Sequence, residues 1–229
     1  MKLEVCCADI DSVRAAKAGG ADRVELCEDL EVDGLTPQME LIRKAVETGI
    51  RVHVLIRPRP GDFVFSDEET QEMEESIRMA KSLGAQGVVI GALDKCGDID
   101  ENVCRRLVAA AEGVSVTFHR AFDSCRNPRE ALKVISKMGC DRLLTSGQAA
   151  TALKGVELLK ELVKMSAELS ENRRKPLVIM PGAGVNVDNV RAIVNETGAT
   201  EVHGSLRSTV AGRKVTTIEN VRRVVEQLS

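Results

Sequence analysis

The 229-residue chain reads as an α/β protein, a single-domain (β/α)8 TIM barrel spanning residues 1–229, on three observations. Short apolar runs rich in β-branched residues alternate with longer amphipathic stretches. The alternation gives eight units of about 28 residues, the size of βα units in barrels of this class. No linker or shift in composition interrupts it. An open doubly wound sheet is the alternative, but even spacing and the lack of an early GxGxxG string favour closure.

In chain order, the first strand is LEVCC (3–7), followed by the helical stretch DSVRAAKAGG. RVELC (23–27) precedes TPQMELIRKAVETG, and VHVLIR (52–57) precedes SDEETQEMEESIRMAKSLG. GVVIGA (87–92) and VSVTFH (114–119) follow, the latter leading to NPREALKVISKMG. RLLTS (142–146), LVIMP (177–181) with NVDNVRAIVNETG, and EVHGS (201–205) complete the eight. Several helices open on Ser, Asp or Asn and close on Gly, as caps require.

Composition excludes some partners. With 32 basic and 35 acidic residues spread along the chain, no basic stripe is available to neutralise nucleic-acid phosphates. Tyr and Trp are absent and Phe numbers four, which removes platforms for stacking bases. A small polar ligand is expected instead. The N-terminus turns acidic before any apolar segment of signal length, and no run approaches the ~20 apolar residues of a membrane span. A cytoplasmic protein with no membrane partner is the expectation. Seven cysteines without CxxC spacing fit reduced thiols.

Alternate strand residues of a barrel point inward. By that parity Glu4 and Cys6 share an inner face, as do Glu25 and Cys27, His53, Leu55 and Arg57, Thr117 and His119, and Glu201 and His203. Buried charges need partners. Glu4, Glu25 and Glu201 therefore require Arg57, the histidines or water. Glu25, Arg57, His119, Asp123 and His203 lie at or beyond strand C-termini, where barrel enzymes place reactive groups. Cys7 should face the helices.

The turns TSGQAA and MPGAGVNVDNV run into helices, a geometry suited to phosphate or carboxylate, which nominates Ser146, Gly147, Gly182 and Gly184. Arg207, Arg213 and Lys214, in the loop after the eighth strand, can reach the same anion. IRPRPGDF, stiffened by Pro58 and Pro60, carries Arg57 and Arg59 as an oxyanion clamp with Asp62 orienting the guanidinium. FHRAFD offers His119 and Asp123 as an acid–base pair and Arg120 as an anchor. Lys2 and Lys175 precede their strands, which disfavours a Schiff base, and neither HExxH nor GxSxG occurs.

Taken together, LEVC, GGADRVEL, GLTP, IRPRPGDF, FHRAFD, LTSG and MPGAGV resemble the CutC family of copper homeostasis proteins over essentially the whole chain. The resemblance implies a barrel, a cytoplasmic location and copper handling, with Cys6 and Cys27 matching the family's proposed copper ligands. Two thiolates on adjacent strands suit Cu(I). The chain departs from the family strings at Pro60, Gln148 and Ala183, where the family has Gly.

Two functions follow. One is a copper homeostasis protein binding Cu(I) through Cys6 and Cys27. The other is a metal-independent lyase, isomerase or hydrolase acting on a small phosphorylated or carboxylated metabolite, with Glu25, His119, Asp123 and His203 catalytic, and Arg57, Arg59, Ser146, Gly147, Gly182, Gly184 and Arg207 around the anion. No organic cofactor is expected in either case, and for assembly a homodimer is the expectation.

Overall fold

The computed structural model describes residues 1–169, 176–210 and 212–229. Eight parallel strands, β1 (Lys2–Cys7), β2 (Arg23–Leu26), β3 (Arg51–Leu55), β4 (Gly87–Ile90), β5 (Ser115–Phe118), β6 (Arg142–Thr145), β7 (Val178–Pro181) and β8 (Glu201–Gly204), form the barrel. Ladder hydrogen bonds run unbroken from β7 through β6, β5, β4, β3, β2 and β1 to β8. Strands β7 and β8 close the ring by packing side by side. The fold is a single-domain (β/α)8 TIM barrel, and each expected strand is present within two residues of its expected ends.

Among the described residues, eight α-helices wrap the barrel: α1 (Ile10–Gly19), α2 (Met39–Glu47), α3 (Asp67–Ser82), α4 (Glu101–Ala110), α5 (Pro128–Met138), α6 (Val156–Leu169), α7 (Val190–Thr197) and α8 (Ile218–Leu228). Their ends follow local chemistry. Helix α3 opens on a capping box in which Ser66 caps the Glu69 amide and the Glu69 side chain returns to Ser66. Helix α5 has Asn127 as N-cap, Pro128 in its first turn and left-handed Gly139 as C-cap.

Strand parity sorts the interior. Leu3, Val5, Cys7, Val24, Leu26, Val52 and Val54 belong to the main core between sheet and helices. Cys7 thus faces the helices, as parity predicts. Cys6, Cys27, Leu55 and Val89 form a separate cluster inside the barrel.

Three expectations need correction. The stretch after β8 is a hairpin, β9 (Arg207–Val210) antiparallel to β10 (Arg213–Thr216), because β-branched residues flank a tight turn in which Gly212 has φ 78°. Arg213 and Lys214 sit on its exposed second strand. Lys2 is the first residue of β1, and its amine lies 3.8 Å from Glu201 at the strand's starting end. Lys175 lies outside the described residues. Lastly, Glu4 and Glu201 are held by Arg23 and Arg142, which open β2 and β6 with inward parity, and not by Arg57, which is engaged elsewhere; the expected histidine partner is present as His203, beside Glu4 and Glu25.

Candidate functional site

A ladder of charges fills the barrel from its lower end upward. Arg142 donates to Ser115 (2.7 Å) and to Glu201 (2.7 Å); Arg23 donates to Glu201 (2.6 Å) and to Glu4. Glu4, fully buried, reaches His203 Nδ1 at 2.8 Å, and His203 Nε2 lies 3.5 Å from Glu25. Strand register builds this order, since Glu4 sits beside both Arg23 and His203, and Cys6 beside Glu25.

The ladder sets protonation. Burial alone would raise the Glu4 pKa, but Arg23, helped by His203 and His53, holds it well below the carboxylate range. Burial opposes charge on His203, yet Glu25, Cys6 and Glu4 hold its pKa well above the usual value. His203 is therefore an imidazolium between two carboxylates. Burial raises the Glu25 pKa against the pull of His203. His53 has no such support, and burial lowers it to about 4.

Above this ladder opens a cavity of about 330 Å³ at the C-terminal mouth, the end at which barrels bind ligands. Its floor holds Cys6, Cys27, Glu25 and His203. The two sulfurs are 3.7 Å apart, both side chains are buried, and neither is in a disulfide. The hydrogen bond that the Cys6 thiol makes to Cys27, with burial behind it, holds the Cys6 pKa well above the usual thiol value. Ligand atoms of Cys6, Glu25 and His203 lie within 4.8 Å of one another, a spacing that can hold a metal ion once Cys6 and His203 give up their protons. His203 stands beside Cys6, whereas His119 belongs to the cavity wall.

Of the residues nominated from sequence, Cys6, Cys27, Glu25, Arg57, His119, Asp123, Gly184, His203 and Arg207 line the cavity. Others are occupied elsewhere. Arg59 bonds Glu69 and Asp62 and also donates to the Val64 carbonyl, outside the cavity lining. Asp123 accepts from Thr145, from the Ser146 amide and hydroxyl, from the Gln148 amide and from Arg120. An internal carboxylate thereby fills the anion nest predicted for the TSGQ turn. Ser146 is consumed by that bond. Gly147 donates to Thr145 and lies so close to Gly155 that a side chain would strike its carbonyl. A side chain at Gly182 would strike Leu144 Cδ1, and Gly182 does not line the cavity.

The expected His119–Asp123 pair also does not form. His119 Nδ1 accepts from the Ala121 amide at 3.1 Å, and burial lowers the ring's pKa to about 3, with Arg57 adding to the effect. Sequence reading missed Arg23 and Arg142, although parity with Glu25 and Leu144 was available as a signal. It also missed Phe63 and Asp33 on the cavity wall. Among the described residues, no helix is long and apolar enough to cross a membrane.

Comparison with known proteins agrees with this architecture. The model of the CutC family matches residues 1–208. A CutC family protein of Pasteurella multocida is 51% identical over 204 residues, covering 89% of this chain and 81% of the relative. The human copper homeostasis protein cutC homolog is 43% identical over 210 residues, covering 90% and 74%. A Streptococcus agalactiae crystal structure described as a CutC copper homeostasis protein superposes with TM-score 0.81 at 32% identity, covering 90% of this chain and 98% of that one. Pyrococcus furiosus phosphoribosylanthranilate isomerase, at 15% identity and TM-score 0.62 with 100% and 98% coverage, shares the fold alone. With the family model spanning the barrel and every motif that carries the resemblance lying inside it, the chain belongs to the CutC family.

Proposed function

We propose that this protein takes part in copper homeostasis by binding Cu(I) between Cys6 and Cys27 at the floor of the barrel mouth. The carrying observation is the pair of buried, unbridged thiols 3.7 Å apart on neighbouring strands, below an open cavity. Soft thiolates select Cu(I), and low coordination suits two ligands. One Cu(I) ion replaces two thiol protons, leaving a bis-thiolate centre with one negative charge. A bare buried charge of that kind is unfavourable. His203, held as an imidazolium by Glu4 and Glu25, stands beside Cys6 to offset it. Reduced thiols persist in a reducing compartment, so the proposed location is the cytoplasm.

The test is anaerobic titration of the reduced protein with Cu(I) against a competing chelator, beside a Cys6→Ser/Cys27→Ser variant. One tightly held equivalent in the wild type, lost in the variant, is the expected result. Unchanged affinity in the variant rejects the site.

A further inference from the structure

We propose that the wall of the same cavity, above the thiols, is a receptor for a small carboxylate. Two hydrogen-bond donors there have no acceptor. His119 spends Nδ1 on the Ala121 amide, which leaves its proton on Nε2, and Nε2 is buried without a partner. The Arg57 guanidinium donates from its terminal nitrogens to the carbonyls of Val32 (2.8 Å), Gly34 (3.1 Å) and Gly61 (2.9 Å), while its Nε is buried and unpartnered. The two residues are 5% and 4% exposed and both pack on Phe63, with His119 ring to ring and the guanidinium carbon 5.1 Å from the Phe63 centroid. A buried donor left without an acceptor is costly, and folded proteins keep few of them.

The opposite wall supplies charge. Arg207 lines the cavity and its side chain has no hydrogen bond or ion pair among the described residues, unlike Arg120, which Asp123 holds at 2.8 Å. The other guanidinium groups of the lining are engaged, Arg57 by three carbonyls and Arg120 by Asp123, which leaves Arg207 as the one open to a ligand's charge among the described residues. A single open cation suits a monoanion better than a phosphate dianion. A carboxylate offers two acceptor oxygens for the two orphaned N–H groups, and charge-assisted bonds of this kind are among the stronger ones. Neither thiol supplies a donor to this wall, so the inference stands apart from the copper reading.

The test is a titration of reduced, metal-free, 15N-histidine-labelled protein with acetate, with succinate and with inorganic phosphate, followed at the His119 Nε2–H resonance. Acetate or succinate should give a saturable shift. Arg207→Gln, which removes no side-chain hydrogen bond or ion pair, should weaken that binding about tenfold, the scale of one charged contact. The Cys6→Ser/Cys27→Ser variant should bind the carboxylate as the wild type does, whatever its Cu(I) affinity. No saturable shift with either carboxylate, equal binding by Arg207→Gln, or tighter binding of phosphate would overturn the proposal.

Discussion

Arg23 holds Glu4 and Glu201 with one guanidinium that is almost wholly buried. Replacing it with Met leaves two buried carboxylates short of their cation, and the expected loss is about 3–5 kcal/mol of unfolding free energy, read by urea denaturation. A neutral result would mean that water already solvates the ladder. His203→Gln keeps a hydrogen-bonding side chain but removes the charge facing the thiols, so Cu(I) affinity should fall about tenfold in the chelator competition, the scale of one charge-assisted contact. The positions where the chain departs from its family's glycines are informative in the same way. Ala183 (φ 72°) and Gln148 (φ 56°) are both left-handed, a conformation that costs a side chain about 1–2 kcal/mol. Gln148 recovers that cost through its amide, which bonds the carbonyls of Phe122 and Cys125. Ala183 has no such return, so Ala183→Gly should raise stability by about 0.5–1 kcal/mol. Cys6, Cys27 and His203 were legible because strand parity fixes which way they face. Arg23 and Arg142 were not, because a charged residue opening a strand reads as its solvated boundary.

Elements were more legible than their connections. The eight strands show as apolar runs and α3 and α5 announce their ends through caps, so Ser66→Ala should cost about 1 kcal/mol through loss of the capping box on α3. Thermal unfolding reads that change directly. The β9–β10 hairpin was read as a loop because its alternation is short and carries three cations, and its exposed face presents no apolar period. The TSGQ turn shows the opposite limit. Its small residues do form an anion nest, but the anion is Asp123 from the neighbouring loop, and the turn's own sequence holds no record of that partner. Which donors remain open for a ligand depends on such pairings across the barrel mouth, so the site was legible in its residue types and only partly in its geometry.

At the scale of the whole molecule, two buried histidines set the response to acid. His53 and His119 titrate at about 4 and about 3 when folded, against about 6.5 in the unfolded chain. The unfolded state therefore binds more protons in that window. Stability is complete above the unfolded value and falls as pH drops through it, by up to about 1.4 kcal/mol per pH unit for each ring. His203 has the reverse sign: its contribution is complete below the unfolded value and is lost as pH rises through its raised folded value. Unfolding free energies measured from pH 7 down to 4 should decline, and His119→Asn should make the decline about one proton shallower; a flat profile would contradict the assignment. The contact between Glu4 and His203 joins residues 199 positions apart, across the first and last strands of the ring. During synthesis, Cys6 and Cys27 can come together as soon as the first two strands pair, yet His203 arrives beside them only with β8. Under the proposed copper function, tight capture is thereby reserved for a finished barrel, and a half-assembled one presents bare thiols without the charge beside them.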